Sequence, residues 1–277
     1  MPHGGLTPAV SMREARRGLH DNDVILEVED VQKRFGRVEA LRDADFELRN
    51  GEVHAIVGDN GAGKSTLIKI ISGVYQADAG ELRLDGKPIA VHNPREAREL
   101  GIETVYQDLA LADDLDAAAN LFLGREEYLP PPLGLLGFLD RKAMRKRAEE
   151  EMRRLKIGIQ SVDQRVVELS GGQRQAVAVA RAIAWGRRIV IMDEPTAALG
   201  VRESAMVLEL IKEVRNQGLA IVMVSHNLPE VFAVADRITV LRIGRTITTM
   251  ATKDTSLEAV VGMMTGAVEA ALRAEGQ

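Results

Sequence analysis

The 277-residue sequence contains no cysteine. That excludes disulfides and thiolate-bound metals, and it suits a reducing compartment. No stretch approaches the roughly 18 consecutive apolar residues that a membrane-spanning helix needs. The first 22 residues lack the apolar segment of a secretory signal and read as a mobile tail. Positive charge is not in excess: 36 Lys and Arg face 41 Asp and Glu, a net charge of −5. Wholesale binding to a nucleic-acid backbone is therefore not favoured. Internal repeats and low-complexity segments are also missing. These absences leave a soluble, cytoplasmic-type chain, long enough for one large domain or two modest ones. If it works at a membrane, a partner must take it there.

What is present is a change of pattern along the chain. Residues 24–31, 44–50 and 52–58 are strand-like, and 81–91 reads as a hairpin turning at Asp85-Gly86. Further on, the short apolar runs 188–193, 219–225 and 237–242 alternate with helical stretches, as in a parallel sheet covered on both faces. Residues 108–160 carry more helix signal than strand, with a loop at 128–134 and a mixed-charge helix at 140–155. Interleaved glutamates mark that helix as a solvated face rather than a nucleic-acid surface. The expected fold class is α/β, with a mainly helical insertion placed at about 108–185.

Three stretches carry chemistry. The segment GDNGAGKST supplies Gly58, Asp59, Asn60, Gly61, Ala62, Gly63, Lys64, Ser65 and Thr66. Gly58, Gly63, Lys64 and Ser65 satisfy the phosphate-loop spacing, after a strand and before a helix. Glycines let successive N–H groups turn toward an anion, and the helix N-terminus adds positive potential. Lys64 would reach the β- and γ-phosphates and Ser65 would ligate Mg²⁺. The apolar run RIVIMDE ends in Asp193 and Glu194, where one carboxylate can serve a metal and the next a water. LSGGQ places Ser170, Gly171, Gly172 and Gln173 at the start of another helix, a second anion device. Two such devices in one chain allow an intramolecular clamp or a site shared with a neighbouring molecule.

The ordered set GDNGAGKST, VYQD, LSGGQ, VIMDEPTAAL and VSHN resembles the nucleotide-binding subunit of ATP-binding cassette transporters, over about residues 24–267. The resemblance implies a P-loop NTPase core with a mainly parallel sheet, an N-terminal antiparallel β-subdomain and an inserted helical subdomain, followed by a tail at 268–277. It implies ATP and Mg²⁺ as cofactors, and a dimer with ATP held between the phosphate loop of one copy and the LSGGQ of the other. Phe35 matches the aromatic that stacks on adenine; the alternative is a core residue beside a strand end. Gln107 matches the Mg²⁺-sensing glutamine and Asp193 the metal-serving carboxylate. Glu194 matches the general base, and His226 the histidine that contacts the γ-phosphate. Trp185 reads as packing or surface.

A finer resemblance, in residues 101–126, 193–204 and 225–245, is to sugar-uptake ATPases of the ribose, xylose and fructose type, in their single-cassette branch. It implies a homodimer at the inner face of the cell membrane, docked under two permease subunits. The permease would seat on the groove after Gln107, around Leu109 to Phe122. An extracytoplasmic solute-binding protein would serve the permease, and no nucleic acid is involved. An importer of another solute, or a soluble ATP-driven switch, are the alternatives. One departure stands out: Gly200 occupies the position where the family often carries an interface aspartate.

Overall fold

Two sheets organise the chain in the computed structural model, which describes residues 23–186 and 188–267. The first is antiparallel. Strands β1 (Val24–Phe35) and β2 (Val38–Arg49) form a long hairpin, and β4 (Ala79–Leu84) and β5 (Lys87–Ile89) extend it in the order β2-β1-β4-β5. The Asp85-Gly86 turn predicted from the sequence closes β4 on β5; both residues have positive φ, 51° and 69°, as its mirror-image turn requires. β1 and β2 run well beyond the segments expected from the sequence. Register shifts between Val28 and Arg34 break their alternation of apolar and polar residues, which hides the strand signal.

The second sheet has the order β10-β9-β3-β8-β7-β6. It consists of β3 (Val53–Val57), β6 (Ile102–Val105), β7 (Ile189–Asp193), β8 (Ala220–Val224), β9 (Arg237–Arg242) and β10 (Arg245–Ala251). All neighbours are parallel except β10, which pairs antiparallel with β9. β3 and β8 are buried along their whole length, which is why they read as unbroken apolar runs. Helices α1 (Lys64–Ile71), α2 (Pro94–Glu99), α3 (Ala117–Phe122), α4 (Arg141–Arg154), α5 (Gly171–Trp185), α6 (Val201–Asn216), α7 (Leu228–Val234) and α8 (Leu257–Thr265) complete the fold. The tails expected at 1–22 and 268–277 lie outside the described residues.

Between β6 and β7 the named elements are helical. Asp116 caps α3 by accepting from the Ala119 N–H at 2.6 Å, and Asp140 caps α4 through the Ala143 N–H at 2.9 Å. Phe122, fully buried, meets Trp185 edge-on at 5.6 Å, and Trp185 donates its Nε1–H to the Leu121 carbonyl at 2.8 Å. Trp185 is thus a packing residue that ties α3 to α5. Burying a ring such as Phe122 contributes roughly 1.5–3 kcal/mol.

β3 is anchored from within. His54 is fully buried, with Nε2 2.7 Å from Thr239 Oγ1 and Nδ1 3.3 Å from Glu52 Oε1. Burial depresses the imidazole pKa despite the opposing pull of Glu52, so the ring is neutral and donates from Nδ1. Burial pushes the Glu52 carboxyl up, but His54, the Arg49 N–H and Arg237 together hold it below its usual range. The unfolded chain therefore takes up the His54 proton near its ordinary value of 6.5, while the folded chain resists it to lower pH. Stability must decline as pH falls through that value, and the Glu52 shift acts in the same direction at lower pH. Denaturant midpoints should be lower at about pH 5 than at about pH 8, and His54→Gln should flatten the histidine part of this profile.

Candidate active site

The carboxyl ends of the parallel strands gather most of the residues singled out in the sequence. The phosphate loop follows β3, Asp193 ends β7, His226 lies two residues beyond β8, and Gln107 lies two beyond β6. Crevices at this edge of an open α/β sheet are where ligands bind. In the loop, Gly58, Gly61 and Gly63 all have positive φ, at 157°, 81° and 108°. Two of them are also wedged. A Cβ on Gly63 would come within 2.8 Å of the Ala40 carbonyl, and one on Gly58 would overlap the Leu241 carbonyl. α1 begins directly after Gly63 with no side-chain cap, so its first-turn N–H groups face the loop's concavity.

Lys64 is buried, and its Nζ donates to the carbonyls of Gly58 at 2.7 Å and Asp59 at 3.1 Å. Burial lowers its pKa, opposed by the nearby charges of Glu194, Asp193 and Asp59. Asp193 shows the reverse: burial, then the like charge of Glu194, raises its carboxyl above the ordinary carboxylate range. Its Oδ1 is buried with no hydrogen-bond partner. A buried, unpartnered carboxylate oxygen beside a phosphate loop is what a divalent cation, or water bound to one, would satisfy. The donor set of Asp193 and the Ser65 hydroxyl therefore fits Mg²⁺.

Glu194 sits in the left-handed region at φ 52°, an uncommon conformation for a side-chain-bearing residue and one found at functional sites. Its N–H donates to the Val224 carbonyl at 2.9 Å and its carbonyl accepts from the Ala197 N–H at 3.1 Å, which holds the turn. The carboxylate meets His226 Nδ1 at 2.9 Å, with His226 largely exposed. This pairs a carboxylate with an imidazole at the mouth of the loop.

Phe35 ends β1 and is 42% exposed, so the plain core reading does not hold; its ring stands edge-on to Tyr75 at 5.1 Å and has Lys33 Nζ 5.6 Å from its centroid. Gln107 is exposed after β6. Ser170 caps α5 in a reciprocal box. Its Oγ accepts from the Gln173 N–H, and Gln173 Oε1 accepts from the Ser170 N–H at 3.0 Å, while Gln173 Nε2 donates to the Gly158 carbonyl. Ser170 is exposed, and the segment packs against α6: a Cβ on Gly172 would meet the Glu203 side chain at 2.7 Å. No hydrogen bond among the described residues joins Ser170–Gln173 to the phosphate loop of the same chain.

A family profile described as ABC transporter matches residues 41–197, more than half of the chain. The chain belongs to the ABC transporter family. It is an ATP-binding cassette with ATPase activity. It is 55% identical over 250 residues to the fructose import ATP-binding protein FrcA of Rhizobium meliloti, covering 88% of this chain and 95% of that one. It is 46% identical over 241 residues to the xylose/arabinose import ATP-binding protein XylG of Sulfolobus acidocaldarius, covering 87% and 94%. Among solved structures, the ADP conformation of the cassette MJ1267 superposes with a TM-score of 0.73 at 26% identity, covering 87% of this chain and 95% of that one.

Sequence reasoning missed three neighbours of these residues. Tyr75 flanks Phe35, Thr196 donates to Glu230 just past the Asp-Glu pair, and Glu203 lies over Gly200, its Oε2 2.6 Å from where a Cβ would stand. Glu203, three residues along on the first turn of α6, could have been flagged from the departure at Gly200. Tyr75 and Glu230 carry no local pattern that separates them from surface residues.

Replacing Lys64 by Ala removes the buried cation. Loss of a charge-assisted contact worth about 1.5–3 kcal/mol should weaken ATP roughly ten- to hundredfold in equilibrium binding. Asp193→Asn should raise the melting temperature measured without nucleotide, because an unfavourably placed charge is removed, while abolishing the extra stabilisation by Mg²⁺ with ATP. Because the Asp193 carboxyl is raised, Mg²⁺ affinity should fall on acidification before an ordinary aspartate would protonate, and this pH dependence should vanish in Asp193→Asn.

Proposed function

We propose that this cassette energises sugar import, as a homodimer that hydrolyses ATP beneath two permease subunits at the inner face of the cell membrane. The convergence of Lys64, Asp193, Glu194 and His226 on one sheet edge carries the chemical part of this reading. Gly58 to Thr66 hold the phosphates through backbone N–H groups, and Lys64 neutralises charge on the β- and γ-oxygens. Ser65, Asp193 and Gln107 would hold Mg²⁺, which when bound adds positive charge at the phosphates. Glu194 accepts a proton from the attacking water and fixes its line of approach. His226, oriented by its contact with Glu194, contacts the γ-phosphate. Phe35 offers its exposed face to adenine.

The second anion device, Ser170 to Gln173, completes the site of the other subunit, above Lys64 of the partner subunit. The exposure of Ser170, and the segment's lack of hydrogen bonds to its own phosphate loop, favour this over an intramolecular clamp. A cassette of this fold, MJ0796, has been solved as a dimer, at 25% identity and a TM-score of 0.68. We read residues 23–267 as one cassette, with 108–185 as the helical subdomain. The permease then seats by the segment around Leu109 to Phe122, of which Ala110 lines a groove of about 330 Å³ between α2, β6 and α5 together with Tyr106, Leu123, Arg125 and Arg181. The cargo is assigned to fructose-like sugars from the 55% identity to a fructose import protein. A pentose is the second reading, favoured by the 46% identity to a xylose/arabinose import protein. A separate extracytoplasmic binding protein would deliver the sugar.

Glu194→Gln should keep ATP binding, lower turnover by about 10²–10⁴-fold and accumulate the closed dimer. Tagged Glu194→Gln, recovered from detergent-solubilised membranes with Mg²⁺ and ATP, should bring down a polytopic permease in stoichiometric amount. Recovery of only soluble partners or ribosomes would reject the importer role.

A further inference from the structure

One exposed apolar surface is used by none of this chemistry. After α3 the chain leaves the groove rim at Leu123 and Arg125 and forms a loop that returns at Leu139, paired with Tyr128. Its tip is a 3-10 turn, Gly134–Leu136, with Leu135 82% and Leu136 72% exposed; Tyr128, Leu133 and Phe138 are also about half exposed or more. Scattered single leucines on a surface are ordinary, but five large apolar side chains on one eleven-residue projection are not.

The loop is built, not slack. Leu129 N–H donates to the Phe138 carbonyl at 2.9 Å, Leu136 N–H to the Leu133 carbonyl at 3.0 Å, and Gly137 N–H to the Gly134 carbonyl at 3.0 Å. Gly134 lies so close to the Leu129 carbonyl that a side chain there would overlap it. Internal pairing of backbone groups lowers the cost of placing the tip in a poorly hydrated medium. The base is pinned toward the groove: Arg147 pairs with Glu127 and covers the faces of Phe122 and Trp185.

Two cations follow directly on the loop's return at Leu139, at its base. Arg141 and Lys142 are the first residues of α4, both exposed and without an ion pair among the described residues. They sit at the positive end of the helix dipole, where cations are unfavourable, and the first turn holds no acid to offset them. Asp140, next to them, is committed to capping the helix. Elsewhere on α4, Arg145 pairs with Glu149 and Asp163 and Arg154 with Glu151, while Arg153, exposed and without an ion pair among the described residues, sits in the last turn where the helix dipole favours a cation. An apolar projection flanked by unpaired cations matches an anionic bilayer surface, with leucine and phenylalanine in the acyl boundary, tyrosine at the headgroups and the cations on phosphate.

We propose that the 128–138 loop, with Arg141 and Lys142, is a lipid-contacting finger that seats the cassette against anionic phospholipid next to its permease. The orientation rests on the importer reading, since the loop springs from the groove assigned to the permease. Lipid binding itself can be tested on the subunit alone.

The test is flotation of the full chain with vesicles of phosphatidylcholine alone and of phosphatidylcholine with phosphatidylglycerol. The expected result is binding to the anionic vesicles that weakens as salt rises. Leu135→Ser with Leu136→Ser should reduce the bound fraction about tenfold, and Arg141→Glu with Lys142→Glu should erase the preference for phosphatidylglycerol. ATPase activity in solution should be unchanged in both, which shows that they fold. Absence of wild-type binding, or equal binding by folded variants, would overturn the proposal. So would loss of the permease from the leucine variant in detergent alongside unchanged vesicle binding, because the loop would then contact protein. Failure of vesicle binding with the permease still captured would sink the finger and leave the importer reading standing. Anionic vesicle binding without a permease partner would do the reverse.

Discussion

The phosphate loop is clamped between backbones from both sheets, and the site depends on that clamp. Gly63 lies against the Ala40 carbonyl and Leu41 of β2, while Gly58 lies against the Leu241 carbonyl of β9. The β9–β10 turn locks the arrangement. The Gly244 N–H donates to the Ala62 carbonyl at 2.9 Å, and the Gly244 carbonyl accepts from the Arg42 N–H at 2.7 Å. Antiparallel and parallel sheets thus meet at the loop, so its N–H groups are aimed by the fold as a whole. Such preorganisation is what makes fixed dipoles effective toward a charged ligand, because they need not reorganise when it arrives.

That arrangement concentrates charge at a cost. Asp193 and Glu194 repel one another, Asp193 Oδ1 has no partner, and Glu194 occupies a left-handed backbone conformation. Left-handed residues of this kind cost on the order of 1 kcal/mol or more and persist when the surroundings determine them. Here the surroundings are identifiable: the Val224 carbonyl of β8 takes the Glu194 N–H, and Ala197 returns a hydrogen bond to its carbonyl. The strand that neighbours β3 therefore sets the position of the carboxylate opposite the loop.

How much of this was legible depended on how burial writes itself into sequence. β3, β7, β8 and β9 read as apolar runs because both faces are covered, and their order along the chain was enough to expect a parallel sheet. The phosphate loop was legible because close approach admits only glycine at Gly58 and Gly63. β6 was too short to show, at four residues. β10 is an edge strand with no fully buried residue, so its threonines carried no periodic signal. The hairpin start at Val38 was masked by charged residues and by the shifts in register. Residues that matter through a distant neighbour were the least visible: Tyr75 meets Phe35, and Glu230 meets Thr196, only after folding.

The two anion devices place different demands on the fold. Lys64 bonds to two neutral carbonyls, and moving its ammonium onto a phosphate exchanges them for charged acceptors, whose hydrogen bonds are roughly twice as strong. Its exchange partner needs only the loop of its own chain. Ser170 and Gln173 satisfy each other in a closed capping box, with Ser170 exposed and Gly172 buried behind it. Their rigidity comes from α6, through Glu203 against Gly172, and the same Glu203 fills the space over Gly200. An aspartate at 200 would have to displace that side chain. In this chain the Glu203 carboxylate, on the first turn of α6, occupies the space into which a side chain at position 200 would project.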